Sequence, residues 1–161
     1  MICDNVATNQ KGHLTFAGFD TVELAEKYGT PLYLMDENKI RQHIREYKEA
    51  FLKFFPKGSM PEFASKAFSC KQIYRILAEE NMNIDVVSCG EIYTAKSVEF
   101  PMEHCFFHGN NKTVDELSAA LEQGVGRIVV DNPTELELLN QLALAQNTKA
   151  AISFRIKPGI D

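Results

Sequence analysis

The spacing of apolar residues divides this chain into two regimes. In ENKIRQHIREYKEAFLKFF, residues 37–55, Ile40, Ile44, Tyr47, Phe51 and Phe54 recur three and four apart, which predicts one apolar stripe of an amphipathic helix with its charges facing solvent. From residue 62 short apolar runs take over: EFASKAF, NIDVVS, CFFHGN, RIVVDN and AAISFRI. They alternate with helix-like stretches that begin near 69, 90, 113 and 133. That alternation predicts successive β-α units and therefore parallel strands. Upstream, a polar leader precedes TVELAEKYG (21–29), read as a short helix capped by Thr21, with Glu23 in its first turn and Gly29 as its stop. PLYLMD then reads as a brief strand.

Punctuation along the second regime supports the helix starts. Ser88 precedes CGEIYTAK, Thr113 leads VDEL with Glu116 three residues on, and Asn132 precedes Pro133 at a first helical position. EQGVGR supplies glycines for a helix end and for entry into the next strand. Five parallel strands with such connections suit either a doubly wound sheet or part of a (β/α)8 TIM-type barrel. No strand is followed by G-x-G-x-x-G, and Lys66, Ser88, His108, Asp131 and Arg155 stand at the carboxyl ends of the five strands. In a barrel these would rim one mouth, so the expected fold class is α/β, a partial barrel.

Composition narrows the function classes. With 45% hydrophobic and 24% charged residues in 161, the chain can bury a core. A net charge of −5, with Lys and Arg interleaved among Glu, shows no basic face for nucleic acid. Cys3, Cys70, Cys89 and Cys105 are widely spaced with no C-x-x-C pair, which suits reduced thiols in a cytoplasmic protein and no metal site. MICDNVATNQKGHLTF does not read as a secretory signal, and no apolar run reaches the roughly 18 residues of a membrane span.

Strand alternation places Ala64 and Lys66 on one face, with Ala67 and Phe68 flanking the amine. Partial desolvation there would lower a lysine pKa from its usual value of about 10.4 and favour the nucleophilic form that condenses with carbonyls; a snorkelling lysine is the plainer reading. Asp85 lies inside the apolar run NIDVVS and needs a cation or a polar network, structural or catalytic. His108 precedes the turn residues Gly109, Asn110 and Asn111, which puts its ring at the loop face; Lys112 reads as solvated. Arg155 alternates with Phe154 and Ile156, so those two would pack on helices while Arg155 turns with Ser153 to the other side. It would meet an anion there, or a plain ion pair with Asp131 or Asp85.

Six blocks, YGTPLYLMDENKIR, FASKAF, IDVVSCGEIYTA, FHGNNKTVDEL, GVGRIVVDNPTELE and FRIKPGID, resemble in order and spacing the amino-terminal half of the diaminopimelate decarboxylase family, from about residue 14 to the end. That family is similar to a wider group of pyridoxal-phosphate enzymes built on an alanine-racemase-type barrel. The resemblance implies residues 1–30 as a leader with a short helix and 31–161 as the first part of a barrel that binds pyridoxal 5'-phosphate. Lys66 would then carry the cofactor covalently, Asp85 would stand near that linkage, His108 would match the histidine of the HGNNK block, and Arg155 would lie beneath the cofactor ring. Ser88 is the weakest of the five. The implied reaction is decarboxylation of meso-2,6-diaminopimelate to L-lysine, in a homodimer when full length.

Two departures accompany the resemblance. Cys89 stands where glycine or alanine is usual, a small residue that should be tolerated. The chain also stops at Asp161, after the fifth strand by this alignment. The later strands, the glycine-rich phosphate segment, the ring-stacking histidine, the acidic partner of the pyridine nitrogen and the carboxyl-terminal β-domain are therefore not in it. The expectation is a chain inactive, or nearly so, alone. Alternatives are an ornithine- or arginine-type decarboxylase or a racemase on the same barrel, or a non-catalytic fragment that pairs with another chain through its open sheet edge.

Overall fold

The computed structural model describes residues 3–159, so the first two residues of the leader and the last two of the FRIKPGID block lie outside the described residues. Two compact units are present, one running up to His43 and the other from Ile44 onward.

In the first unit, Val6–Thr8 (β1), Leu14–Phe16 (β2) and Phe19–Asp20 (β3) form a small antiparallel sheet in the order β1-β2-β3. The segment expected to be a polar leader therefore contains a small sheet, which its few apolar positions do not signal. Thr21–Tyr28 (α1) follows, but its cap is Asp20 and not Thr21: the Asp20 carboxylate accepts from the backbone N–H of Val22 and Glu23, and the Thr21 hydroxyl donates to Leu14 O at 2.9 Å. Asp20 also accepts from Asn9 and faces the His13 ring. Burial works against its charge, yet these hydrogen bonds, His13 first, bring its pKa down to about 2. Gly29, at φ 83°, ends the helix as expected. PLYLMD is not a strand: residues 31–36 pair with no ladder, and Asp36 takes a turn role, accepting from Asn5 and from the N–H of Lys39.

The long helix Glu37–Phe54 (α2) confirms the three-and-four spacing but not the depth of the stripe. Ile44 alone of the five apolar positions is buried; Tyr47 and Phe54 are exposed, and Phe51 stacks on Phe55.

Residues from 62 build the regular part. Glu62–Ala64 (β4), Asn83–Val86 (β5), Cys105–Phe107 (β6), Arg127–Val130 (β7) and Ile152–Phe154 (β8) form one parallel sheet. The spatial order β4-β5-β6-β7-β8 repeats the order in sequence. A doubly wound sheet reverses its order at a switch point, and this one does not, which is the pattern of a partial TIM-type barrel. Lys71–Glu79 (α3), Cys89–Lys96 (α4), Val114–Glu122 (α5) and Pro133–Ala145 (α6) connect the strands.

All three later caps fall where the sequence placed them. The Ser88 hydroxyl accepts from Glu91 N, Thr113 and Glu116 close a capping box, and the Asn132 carbonyl oxygen accepts from Glu135 N with Pro133 at the first helical position. The core lies between the strands and these helices: Tyr74, Leu77, Ile84, Val86, Phe107, Leu117 and Ile128 are buried, each contributing about 1.5–3 kcal/mol of apolar burial. Gly126 is fixed by close approach, since a Cβ there would lie 1.9 Å from the carbonyl oxygen of Glu103. Phe154 and Ile156, expected to pack on helices, are 59% and 77% exposed. Phe154 does share a register position with buried Val130, but it lies on β8, the edge strand of the sheet.

Candidate functional site

Alternation along β5 separates two chemistries. Ile84 and Val86 are wholly buried under the helices, while Asp85 faces the other way. Register aligns Ala64, Asp85, Phe106 and Arg127 in one row across β4 to β7, so the face without helices carries charge. Every predicted rim residue follows the end of its strand. Lys66 lies just beyond β4, Ser88 beyond β5, His108 beyond β6, Asp131 beyond β7 and Arg155 beyond β8. Two of them extend the ladder, with His108 N–H donating to Val86 O at 2.8 Å and Arg155 N–H to Val130 O at 2.9 Å.

The surroundings of Lys66 differ from the expectation. The strand stops at Ala64, and Ser65–Ala67 form a 3-10 turn closed by Phe68 N–H donating to Ser65 O at 3.1 Å. The turn takes Lys66 out of strand alternation. Ser65 is buried, whereas Lys66, Ala67 and Phe68 are exposed, so the desolvation predicted for the amine is not found.

What the structure does supply is a neighbour for it. Asp85 senses both the Lys66 ammonium and the His108 imidazole, and its pKa is nevertheless raised. Burial dominates, His108 and Lys66 pull against it, and the Glu91 carboxylate adds to it. Its Oδ1 is buried and has no hydrogen-bond partner. Glu62, on the same face of β4, is raised too, by burial first and by Asp85 second, with Arg127 opposing. On the helix side, the Cys105 thiol is pushed up to about 12 by burial and then by the Asp85, Glu91 and Glu62 charges, which leaves it inert at neutral pH.

Arg155 and Ser88 stand apart from that group. The Arg155 guanidinium donates to Asp131 Oδ1 at 3.3 Å, the plain ion pair that the sequence left open. The Ser88 hydroxyl is committed to its helix cap, accepting from Glu91 N at 3.3 Å and donating to Glu91 Oε2 at 3.2 Å, while Val87 N–H donates to the same carboxylate at 2.6 Å. Cys89 is partly buried, with its thiol raised by burial and then by Glu116 and Asp115.

Lys112, expected to be solvated, has a buried side chain. Its side chain is 2% exposed, and its ammonium donates to Gly109 O at 2.7 Å, to Val129 O at 2.8 Å and to Glu135 Oε1 at 2.7 Å. The signal available in sequence was that Lys112 stands directly before a helix cap, and that Glu91, Glu116 and Glu135 each fall three residues after one.

A cofactor that attaches through an aldehyde needs an accessible amine and a hydrogen-bonding group beside the new linkage. Exposed Lys66 and the unpartnered Asp85 oxygen meet both requirements. Among the described residues no group of three or more His, Cys, Asp or Glu is placed to hold a metal ion, and no helix is long and apolar enough to cross a membrane.

Comparison with known proteins points the same way. Residues 37–161 match the family model described as pyridoxal-dependent decarboxylase, pyridoxal binding domain. Diaminopimelate decarboxylase of Bacillus methanolicus is 46% identical over 153 residues, which are 95% of this chain and 35% of that protein. The Bacillus subtilis enzyme of the same name is 45% identical over the same shares. The chain thus spans about a third of the length of these relatives. Among solved structures, diaminopimelate decarboxylase from M. jannaschii in complex with L-lysine superposes with a TM-score of 0.88 at 36% identity, covering 98% of this chain and 37% of that one. Lysine/ornithine decarboxylase from Vibrio vulnificus, complexed with putrescine, gives 0.71 at 26%, covering 84% and 35%.

Proposed function

The chain belongs to the pyridoxal-dependent decarboxylases, through their pyridoxal-binding domain, and from that premise we propose that it is the cofactor-anchoring part of an enzyme converting meso-2,6-diaminopimelate to L-lysine. Supporting the substrate are the names of the most similar relatives and the L-lysine in the M. jannaschii structure, against a lower likeness to the lysine/ornithine enzyme. The single observation that carries the reading is the Asp85 oxygen left without a partner beside an exposed lysine.

In this proposal Lys66 would hold the cofactor covalently through its Nζ, and Asp85, whose buried Oδ1 lacks a partner, would offer that oxygen as a hydrogen-bonding group beside the amine. His108 offers a half-buried ring from the end of β6, and Arg155, held by Asp131 at the far end of the rim, would be the cation available to the cofactor there. Ser88 ranks last because its hydroxyl is already spent on the cap. Pyridoxal phosphate, when bound, supplies an electron-withdrawing ring that takes up the electron pair left by a departing carboxyl group. A cytoplasmic homodimer completes the proposal.

The test is release of labelled carbon dioxide from carboxyl-labelled diaminopimelate, ornithine and arginine. It is measured for the chain alone and for the chain fused to the remaining carboxyl-terminal part of the Bacillus methanolicus relative. The expected result is turnover of diaminopimelate by the fusion, loss of it in the Lys66→Ala fusion, and little or none with the chain alone. Preferential turnover of ornithine or arginine by the fusion would overturn the substrate assignment.

A further inference from the structure

We propose that Lys112 and Glu135 are positioning residues for this rim, a buried charged pair that holds the His108 loop against Asp85; the proposal rests on the reading of Lys66, Asp85 and His108 as the anchoring group. An ammonium has three hydrogens, and all three are used here, on Gly109 O, Val129 O and Glu135 Oε1. They fasten the loop after β6 to the body of β7 and to the first turn of α6. The ammonium also lies 5.6 Å from the centre of the Phe107 ring, beside the residue that precedes His108.

Gly109 gives the pair its leverage over His108. Its φ is 128°, a region open to glycine, so nothing in its own backbone fixes the direction of its carbonyl. Lys112 does so. His108 is consequently held on both sides: its N–H donates to Val86 O, and the carbonyl of the next residue is bound by the ammonium. Glu135 is in turn seated by its place behind the Asn132 cap and is buried with its partner. Two charges taken out of water gain less in stability than a well-packed apolar pair would, whereas they fix geometry well, which is what a loop bearing a site residue requires.

The test follows the Asp85 carboxyl by the 13C shift of its Cγ across pH, in the chain without added cofactor. The titratable groups whose charges couple to Asp85 are Lys66 from the 3-10 turn, Glu62 from β4, His108 at the end of β6 and, from the helix-covered side of the sheet, Cys105 of β6 and Glu91 of α4. His108→Gln is expected to move the Asp85 midpoint upward. Lys112→Met should move it upward by a comparable amount, and the two together no further than either alone. Should Lys112→Met fail to fold, Lys112→Met with Glu135→Leu removes both charges and is expected to give the same shift. A Lys112 variant that melts earlier yet keeps the Asp85 midpoint, and its response to His108→Gln, would mark the pair as structural only and overturn the proposal. So would an Asp85 midpoint that His108→Gln leaves unmoved. Because no cofactor is present, failure of pyridoxal phosphate to attach to Lys66 would count against the proposed function and not against this pairing.

Discussion

Two carboxylates on the parallel unit, buried Glu135 and half-buried Asp85, have opposite surroundings. Glu135 faces an ammonium whose three hydrogens are all placed. Asp85 keeps one buried oxygen without a partner, and two cationic or ionisable neighbours do not offset its burial. A fold has every reason to satisfy a buried charge, as it does at Glu135, so a carboxylate left incomplete one face away marks a place where a ligand is expected to finish the network. The contrast sets a completed ion pair at Glu135 beside an open hydrogen-bonding position at Asp85.

The largest effect should come from breaking the complete pair. Lys112→Met leaves Glu135 buried and unpaired and is expected to cost about 3–5 kcal/mol in denaturant unfolding. Replacing both members by apolar residues should restore most of that loss. Asn132→Ala, which removes the cap that seats Glu135, should cost about 1 kcal/mol. A loss in the double variant as large as in the single one would show that Glu135 and Lys112 matter for something other than their pairing.

Asp85 should respond in the opposite direction. Asp85→Asn removes an incompletely paired charge and is expected to stabilise the chain at neutral pH by about 1 kcal/mol, read as a rise in denaturation midpoint. Its pKa is raised in the folded state, so the folded chain holds a proton that the unfolded chain releases. The penalty is absent below the unfolded value near 3.8, grows as pH rises through the raised folded value, and stays above it. The advantage of Asp85→Asn should accordingly vanish in acid.

Asp20 provides the reverse case in the other unit, and the smallest effect. Lowered from 3.8 to about 2, its contribution is present above pH 4 and is lost as pH falls through 2, so Asp20→Asn should flatten that acid limb of an unfolding titration.

The same contrast explains what could be read from residues alone. Strands β5, β6 and β7 are legible because their apolar runs are bounded by a cap or a glycine, and Ser88, Thr113 and Asn132 cap the helices they precede. Asp85 and His108 were legible as a polar interruption of an apolar run and a residue at a turn. Lys66 was found at the correct strand end but in the wrong conformation, since the pattern EFASKAF does not reveal that the chain turns at Ser65. PLYLMD carries strand-forming residues, but no neighbouring strand offers it a ladder, and such pairing is not a local property. Lys112 was misread for the same reason: its three acceptors come from residues 3, 17 and 23 positions away, and only folding brings the last two together.

The proposed function requires Lys66 to be the amine that an aldehyde cofactor finds beside Asp85. Incubation with pyridoxal phosphate, reduction with borohydride and mass mapping of the peptides tests this directly. The modification is expected on the peptide containing Lys66, absent in Lys66→Ala and weaker in Asp85→Asn. Modification centred on a different lysine, with Lys66 left bare, would contradict it.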